Sequence, residues 1–312
     1  MGHRFTYVVS PEEERENLTV EWFLRRHGYS RHIITGLKRT EDGIFRNGVR
    51  AWTSQAVHAG DVIETHLVET EPSDGILPRP VPFSVVYEDD DILVVDKPAD
   101  TPIHPSIGNY ENTLANGIAW YFEQKGEPFV YRCINRLDRD TTGLIVLAKH
   151  ALSAAVLSQA MRSREIHRTY QAFALGETAA SGTIDAPIAR LNGSLIQRTV
   201  DFASGERSVT HYRTLAHCSV FSHLELNLET GRTHQIRVHF AHLGTPLVGD
   251  SLYGTAPIGT RHLLHCKTIR LMHPVREEPV AFDCPFPSDM EEWNQCLPTA
   301  PTTSLPASCC PP

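Results

Sequence analysis

At 312 residues, with 41% hydrophobic and 21% charged residues, the chain has an ordinary globular composition and enough length for about two domains. No run approaches the ~20 apolar residues of a membrane span, and Met1-Gly2-His3-Arg4 lacks the apolar stretch of a signal peptide. Seven scattered cysteines argue against a disulfide framework or a Cys-x-x-Cys metal site, so a reducing, cytoplasmic setting is expected.

The formal net charge of −8 counts against simple nucleic-acid binding, but the charge is unevenly spread. Residues 15–50 hold eight basic groups against four acidic ones, and residues 131–170 seven against three. Residues 64–96 hold nine acidic groups and only Arg79. Two basic segments joined by an acidic one are compatible with an RNA-binding face and an acidic back, and equally with a chance patchwork.

In chain order, Asn17 can cap a helix through Val20, Trp22, Phe23 and Leu24 that Gly28 stops. Ser30 can cap a second over Arg31–Arg39, with Ile33, Ile34 and Leu37 on one face and Arg31, Lys38 and Arg39 outside. Asn47-Gly48 between Ile44-Phe45-Arg46 and Val49-Arg50-Ala51 predicts a hairpin, and Val62–Leu67 a last strand. This stretch, from Leu18 to about Val68, resembles the S4 RNA-binding module, notably at Tyr29-Ser30-Arg31, Arg46-Asn47-Gly48 and Gly60-Asp61-Val62. The resemblance implies an RNA-binding domain over 1–70 with Arg31, Lys38, Arg39 and Arg46 facing RNA; the alternative is a structural cap with a solvated face. Five residues of proline and glycine between 72 and 82 then mark a linker, placed at 71–82.

Beyond it, Val85-Val86-Tyr87 and Ile92-Leu93-Val94-Val95 flank an acidic turn and predict a hairpin, followed by Lys97-Pro98 and His104-Pro105. Asn112 is placed to cap a helix to about Gln124. Asn135-Arg136-Leu137-Asp138-Arg139-Asp140-Thr141-Thr142-Gly143 packs four charges into five residues, then runs into Leu144-Ile145-Val146-Leu147-Ala148, which reads as a buried strand. A charged turn feeding a core strand holds carboxylates and guanidiniums at the mouth of a rigid sheet. Residues 151–164 predict an amphipathic helix, and Ile166–Gly176 and Phe221–Leu228 predict strands. The second strand delivers Glu229-Thr230-Gly231-Arg232-Thr233-His234-Gln235-Ile236-Arg237-Val238-His239, where Thr233 can cap a helix. His262, His265 and Cys266 fall on one strand without a fourth ligand, so no metal site is expected there.

Taken together, the Lys97-Pro98 step, the Arg136-Leu137-Asp138 signature, Arg168-Thr169-Tyr170-Gln171-Ala172 and Gly231–His239 resemble the RluA-type family of RNA pseudouridine synthases. Two positions depart from the usual family pattern. Asn135 stands where the signature has His, and Asp100 where a glycine often follows Lys-Pro-Ala.

The resemblance implies an α+β fold with a mixed, largely antiparallel sheet over 83–290, and leaves 291–312 as a disordered tail. It implies isomerisation of uridine to pseudouridine, with large-subunit ribosomal RNA the expected substrate and transfer RNA the alternative, without cofactor, metal, membrane or obligatory protein partner, by a monomer. Asp138 maps to the nucleophilic or stabilising carboxylate, with Asp140 the obvious rival. Tyr170 maps to the active-site tyrosine, Arg232 to the arginine that ion-pairs the aspartate, and Arg136 to the arginine that helps extrude the base. Arg237 is expected to serve structure. Two other readings stay open: a non-catalytic RNA-binding protein, and a hydrolase using Asp138 and Asp140 as acid and base, for which that spacing is poor.

Overall fold

In the computed structural model, which describes residues 2–13, 18–69, 72–254 and 259–297, apolar residues gather into two large cores built on two sheets. The first holds β1 (Gly2–Val8), α1 (Val20–Arg26), α2 (Arg31–Arg39), β2 (Ile44–Arg46), β3 (Val49–Arg50) and β4 (Val62–Val68), with sheet order β1-β4-β2-β3. Ser30 caps α2 through Ile33 N–H, and the helix buries Ile33, Ile34 and Leu37 while Arg31, Lys38 and Arg39 stay exposed. Asn47 and Gly48 both take positive φ (52° and 75°), the geometry that joins twisted strands through two residues. Thr19 caps α1, not Asn17, which lies outside the described residues. The sequence reading did not anticipate β1, whose whole length pairs antiparallel with β4.

The larger unit contains β5 (Ser84–Glu88), β6 (Ile92–Lys97), α3 (Leu114–Gln124), β7 (Thr142–Ala148), α4 (Ala151–Arg162), β8 (His167–Leu175), β9 (Ser181–Asp185) and β10 (Ile188–Arg190). It continues through β11 (Arg198–Val200), β12 (Val209–His217), β13 (Phe221–Leu228), α5 (Gln235–His242), β14 (Leu264–Met272), β15 (Pro279–Asp283) and α6 (Ser288–Gln295). Strand order is β5-β6-β7-β14-β8-β13-β12-β9, with β15 beside β14 and β10–β11 a separate ribbon. Among the described strands only β7 and β14 pair in parallel, so the sheet is mixed and largely antiparallel, an α+β architecture.

The apolar run of β7 is buried at every position, as expected of a strand covered on both faces. Its entry requires glycine: Gly143 has φ 108°, and a Cβ there would lie 2.4 Å from the Cys266 carbonyl oxygen on β14. Asp100 meets the demand usually left to glycine by adopting φ 52°, a conformation that Asp tolerates better than most residues. Thr113, one residue after Asn112, forms the capping box of α3 with Asn116.

Two further placements bear on the site. Helix α4 is shared between the cores: Leu152 packs into the first and Leu157 into the second. The expected tail also needs correction. Residues 288–295 form α6, whose Met290 and Trp293 bury against Phe173 and Phe221. A short helix with two apolar residues three apart needs only that stripe to dock. Residues 298–312 lie outside the described residues.

Candidate active site

The signature forms a turn before β7, closed by Thr141 N–H on the Asp138 carbonyl (3.2 Å), and its backbone is fixed from several sides. The Lys97 ammonium, fully buried, donates to the carbonyls of Pro98, Thr101 and Arg139 at 2.7, 2.9 and 2.8 Å. Burial pushes its pKa down to about 7, yet three carbonyl acceptors call for the three protons of the charged form. Arg261 donates to the Asp140 carbonyl (3.0 Å) and is itself gripped by Asp289 of α6 at 2.6 and 2.9 Å. The Thr141 and Thr142 hydroxyls meet His262 Nε2 (2.8 Å) and His265 Nδ1 (2.9 Å). His262 and His265 thus brace two neighbouring residues instead of converging on a common centre.

Asn135, buried, turns away from the turn's mouth. Its amide donates to the Leu144 carbonyl (3.0 Å) and accepts from Val146 N–H (2.9 Å), clamping the chain to β7. Asn supplies donor and acceptor together without titrating, which suits a buried clamp.

Asp138, Tyr170 and Arg232 line one cavity, together with Arg136, Arg168, His234 and Arg237. Asp140 is not among the lining residues. Topology explains the convergence: the signature precedes β7, Tyr170 lies on β8, one strand beyond β14, and α5 follows β13 next to β8. Tyr170 is buried, which raises its phenol pKa, and its oxygen lies 3.4 Å from Arg168 Nη1. A protonated phenol in that wall offers a hydrogen-bonding hydroxyl and an aromatic surface.

The arginine partner of Asp138 is not the one the sequence indicated. Arg232 ion-pairs with Glu206, and its Nε donates to the Arg207 carbonyl at 3.3 Å. Arg237 is the guanidinium beside Asp138, Nη1 to Oδ2 at 3.5 Å. Its other edge forms a two-point bond to Asp250, 2.7 Å from Nε and 2.9 Å from Nη2, and it lies over the Tyr253 ring at 5.1 Å. Burial alone would raise the Asp250 carboxyl, but Arg237 outweighs it and holds the carboxyl below the usual carboxylate range. One buried cation therefore faces two carboxylates, with Asp250 fixing its orientation and Asp138 left at the cavity surface.

The start of α5 also differs from expectation. Its N-cap is His234, not Thr233, in the left-handed region (φ 58°) and without a side-chain cap. The turn is held instead by the Gln235 amide, which accepts from Arg232 N–H (3.0 Å) and Thr230 Oγ1 (2.8 Å) and donates to the Val209 carbonyl (2.9 Å). The unusual backbone aims His234 at the site, with Nδ1 2.8 Å from the Tyr253 hydroxyl and Nε2 4.0 Å from Asp138 Oδ2. Burial lowers the His234 pKa against the pull of Asp138. Sequence reasoning missed Arg168, His234 and Arg237 as site residues; the available signals were the Arg168-Thr169-Tyr170 motif for the first and the basic residues of Gly231–His239 for the other two.

Of the expected RNA-facing residues, Arg136 is exposed at the cavity rim, and Arg31, Lys38 and Arg39 are exposed on α2. Arg46 instead donates from the β2–β3 hairpin to Asp61, the residue before β4, at 2.8 Å.

Residues 91–242 match the family described as RNA pseudouridylate synthase. The chain is 35% identical over 278 residues to the uncharacterised RNA pseudouridine synthase YjbO of Bacillus subtilis, covering 88% of this chain and 98% of the relative. It is 39% identical over 244 residues to ribosomal large subunit pseudouridine synthase D of Escherichia coli strain K12, covering 73% and 74% of the two chains. The solved structure of human RNA pseudouridylate synthase domain containing 1 superposes with a TM-score of 0.56 at 27% identity, covering 70% of this chain and 87% of that one. With the signature turn, the cavity and these relatives in agreement, the chain belongs to the RluA-type family of RNA pseudouridine synthases and isomerises uridine in RNA to pseudouridine.

Proposed function

We propose that Asp138 is the reacting carboxylate, that Tyr170 lines the uracil pocket, and that the substrate is large-subunit ribosomal RNA. The reaction breaks the bond between uracil N1 and the ribose C1′, turns the base, and joins C5 to C1′; the C5 proton leaves and N1 gains one. An ionised carboxylate is needed at the sugar or the ring, with donors nearby to spread charge on the detached base. The observation that carries this reading is the Asp138–Arg237–Asp250 chain, in which a buried guanidinium is held from behind and offers its remaining edge to the one cavity carboxylate of the signature.

The substrate assignment draws on the relative named ribosomal large subunit pseudouridine synthase D. Support for RNA contact by the first unit, read as an S4-like domain spanning 1–70, comes from Arg31, Lys38 and Arg39 on the exposed face of α2. Tritium release from uracil-C5-labelled RNA tests the chemistry. Asp138→Asn should abolish release while RNA affinity stays within about threefold, because the lost group does chemistry and not phosphate binding. If Asp140→Asn abolishes release and Asp138→Asn does not, the assignment is wrong. Mapping pseudouridines in total RNA with and without the protein tests the substrate; new sites confined to transfer RNA would overturn it.

A further inference from the structure

Beside the catalytic cavity lies a second one lined, among the described residues, by four arginines, Arg136, Arg190, Arg198 and Arg232, and by a single carboxylate, Glu206. Arg136 and Arg232 line both cavities, so the two share a wall. Arg190 and Arg198 arrive from the β10–β11 ribbon, which pairs them directly across its two strands. Four guanidiniums converging from three parts of the chain are more positive charge than the protein itself neutralises. Among the described residues, Arg198 Nη1 donates only to the carbonyls of Ile196 and Gln197, at 3.1 and 3.2 Å. Arg136 and Arg190 are exposed, and among the described residues their side chains have neither a carboxylate nor a carbonyl partner.

Glu206 is the exception, ion-paired with Arg232. Its backbone is pinned to β10 by reciprocal 2.9 Å hydrogen bonds with Ile188, while its side chain is 69% exposed and that of Arg232 42%. A pair this exposed contributes little stability, and rotation of the Glu206 side chain breaks it without moving the loop.

We propose that this cavity is a phosphodiester subsite for the nucleotide adjoining the target uridine, and that the Glu206 carboxylate holds its place until RNA displaces it. Guanidiniums suit this ligand because their paired N–H groups match two phosphate oxygens, and the shared wall makes the subsite adjoin the catalytic cavity. The inference rests on the chain being an RNA-modifying enzyme and assigns Arg232 to substrate phosphate rather than to Asp138.

The test is a double-substitution cycle in the full chain, read by binding of a fluorescently labelled twelve-nucleotide oligouridylate across a salt series. Glu206→Gln should tighten binding by about threefold or more at low salt, and steepen the dependence of log affinity on log salt by up to about 0.7, one further counterion released from a single strand. In an Arg232→Gln background the same change should leave affinity nearly unaltered, since the guanidinium for which carboxylate and phosphate compete is gone. Unchanged or weaker binding by Glu206→Gln would overturn the proposal. So would equal tightening in both backgrounds, which would reduce the effect to net charge. Tritium release by the unsubstituted protein separates the two levels: no release sinks the enzyme assignment, whereas intact release with a flat cycle sinks only the subsite.

Discussion

Arg232 and Arg237 lie five residues apart in one motif, yet the fold gives them opposite circumstances. Arg237 is buried between two carboxylates, one of them fully enclosed, and lies against an aromatic ring. Arg232 is exposed, and its ion-pair partner Glu206 faces solvent. A buried guanidinium with both edges engaged sets geometry, and losing it strands charge in a low-dielectric interior. An exposed one can trade its partner for a ligand at little cost. Membership of one motif therefore does not tell which arginine faces Asp138; the partner behind it does.

The largest effect should come from Arg237. Arg237→Gln leaves Asp250 buried and unpaired, so denaturant unfolding should show a loss of about 3–5 kcal/mol, and tritium release should fall by about 10²-fold or more. Arg237→Lys should recover little of either, because a point charge cannot reproduce the two-point bond to Asp250 while facing Asp138. Asp250→Asn comes next. It keeps the volume but frees the guanidinium to turn, and kcat should drop by about tenfold with RNA affinity nearly unchanged. If kcat survives Asp250→Asn, the fixing role given to that carboxylate is wrong.

Arg232→Gln should behave differently, raising KM by about fivefold and flattening the salt dependence, with kcat within about twofold. A loss confined to kcat would return Arg232 to the chemistry and erase the contrast.

The buried side of the site also carries a pH signature. His265, fully buried between Thr142 and Cys284, has its pKa lowered to about 4, chiefly by desolvation. The unfolded chain takes up this proton first, near pH 6.5, so the stability is complete above that value and is lost as pH falls towards 4. The swing is about 3 kcal/mol, and His265→Gln should flatten the melting temperature across that interval. An equally steep acid limb in the variant would assign the loss to other groups, such as His223, whose pKa is also lowered to about 4 by burial.

Much of this is legible in the sequence. Ser30 as a cap, Asn47-Gly48 as a turn and the apolar run of β7 are local signals, and all three elements form where their residues place them. What the sequence hid depends on distant partners. β1 has its pairing groups in β4, some sixty residues away, and Arg237 takes its orientation from Asp250, across a turn and thirteen positions downstream. Glu206 gives no signal in its own neighbourhood, because what matters is the arginine it reaches. Helix α6 was hidden by its polarity, although Met290 and Trp293 at a spacing of three were a visible stripe, and through Asp289 and Arg261 it supports the turn that presents Asp138.

The division of α4 between two cores has a thermodynamic consequence. Leu152 and Val156 pack towards the first unit, where a Cβ on Gly28 would come within 2.4 Å of Val156, while Leu157 anchors the same helix over the main sheet. Neither unit can melt without stripping one side of a helix the other needs. Scanning calorimetry should accordingly show one endotherm whose van't Hoff and calorimetric enthalpies agree, and Gly28→Val, which wedges the seam open, should split it into two.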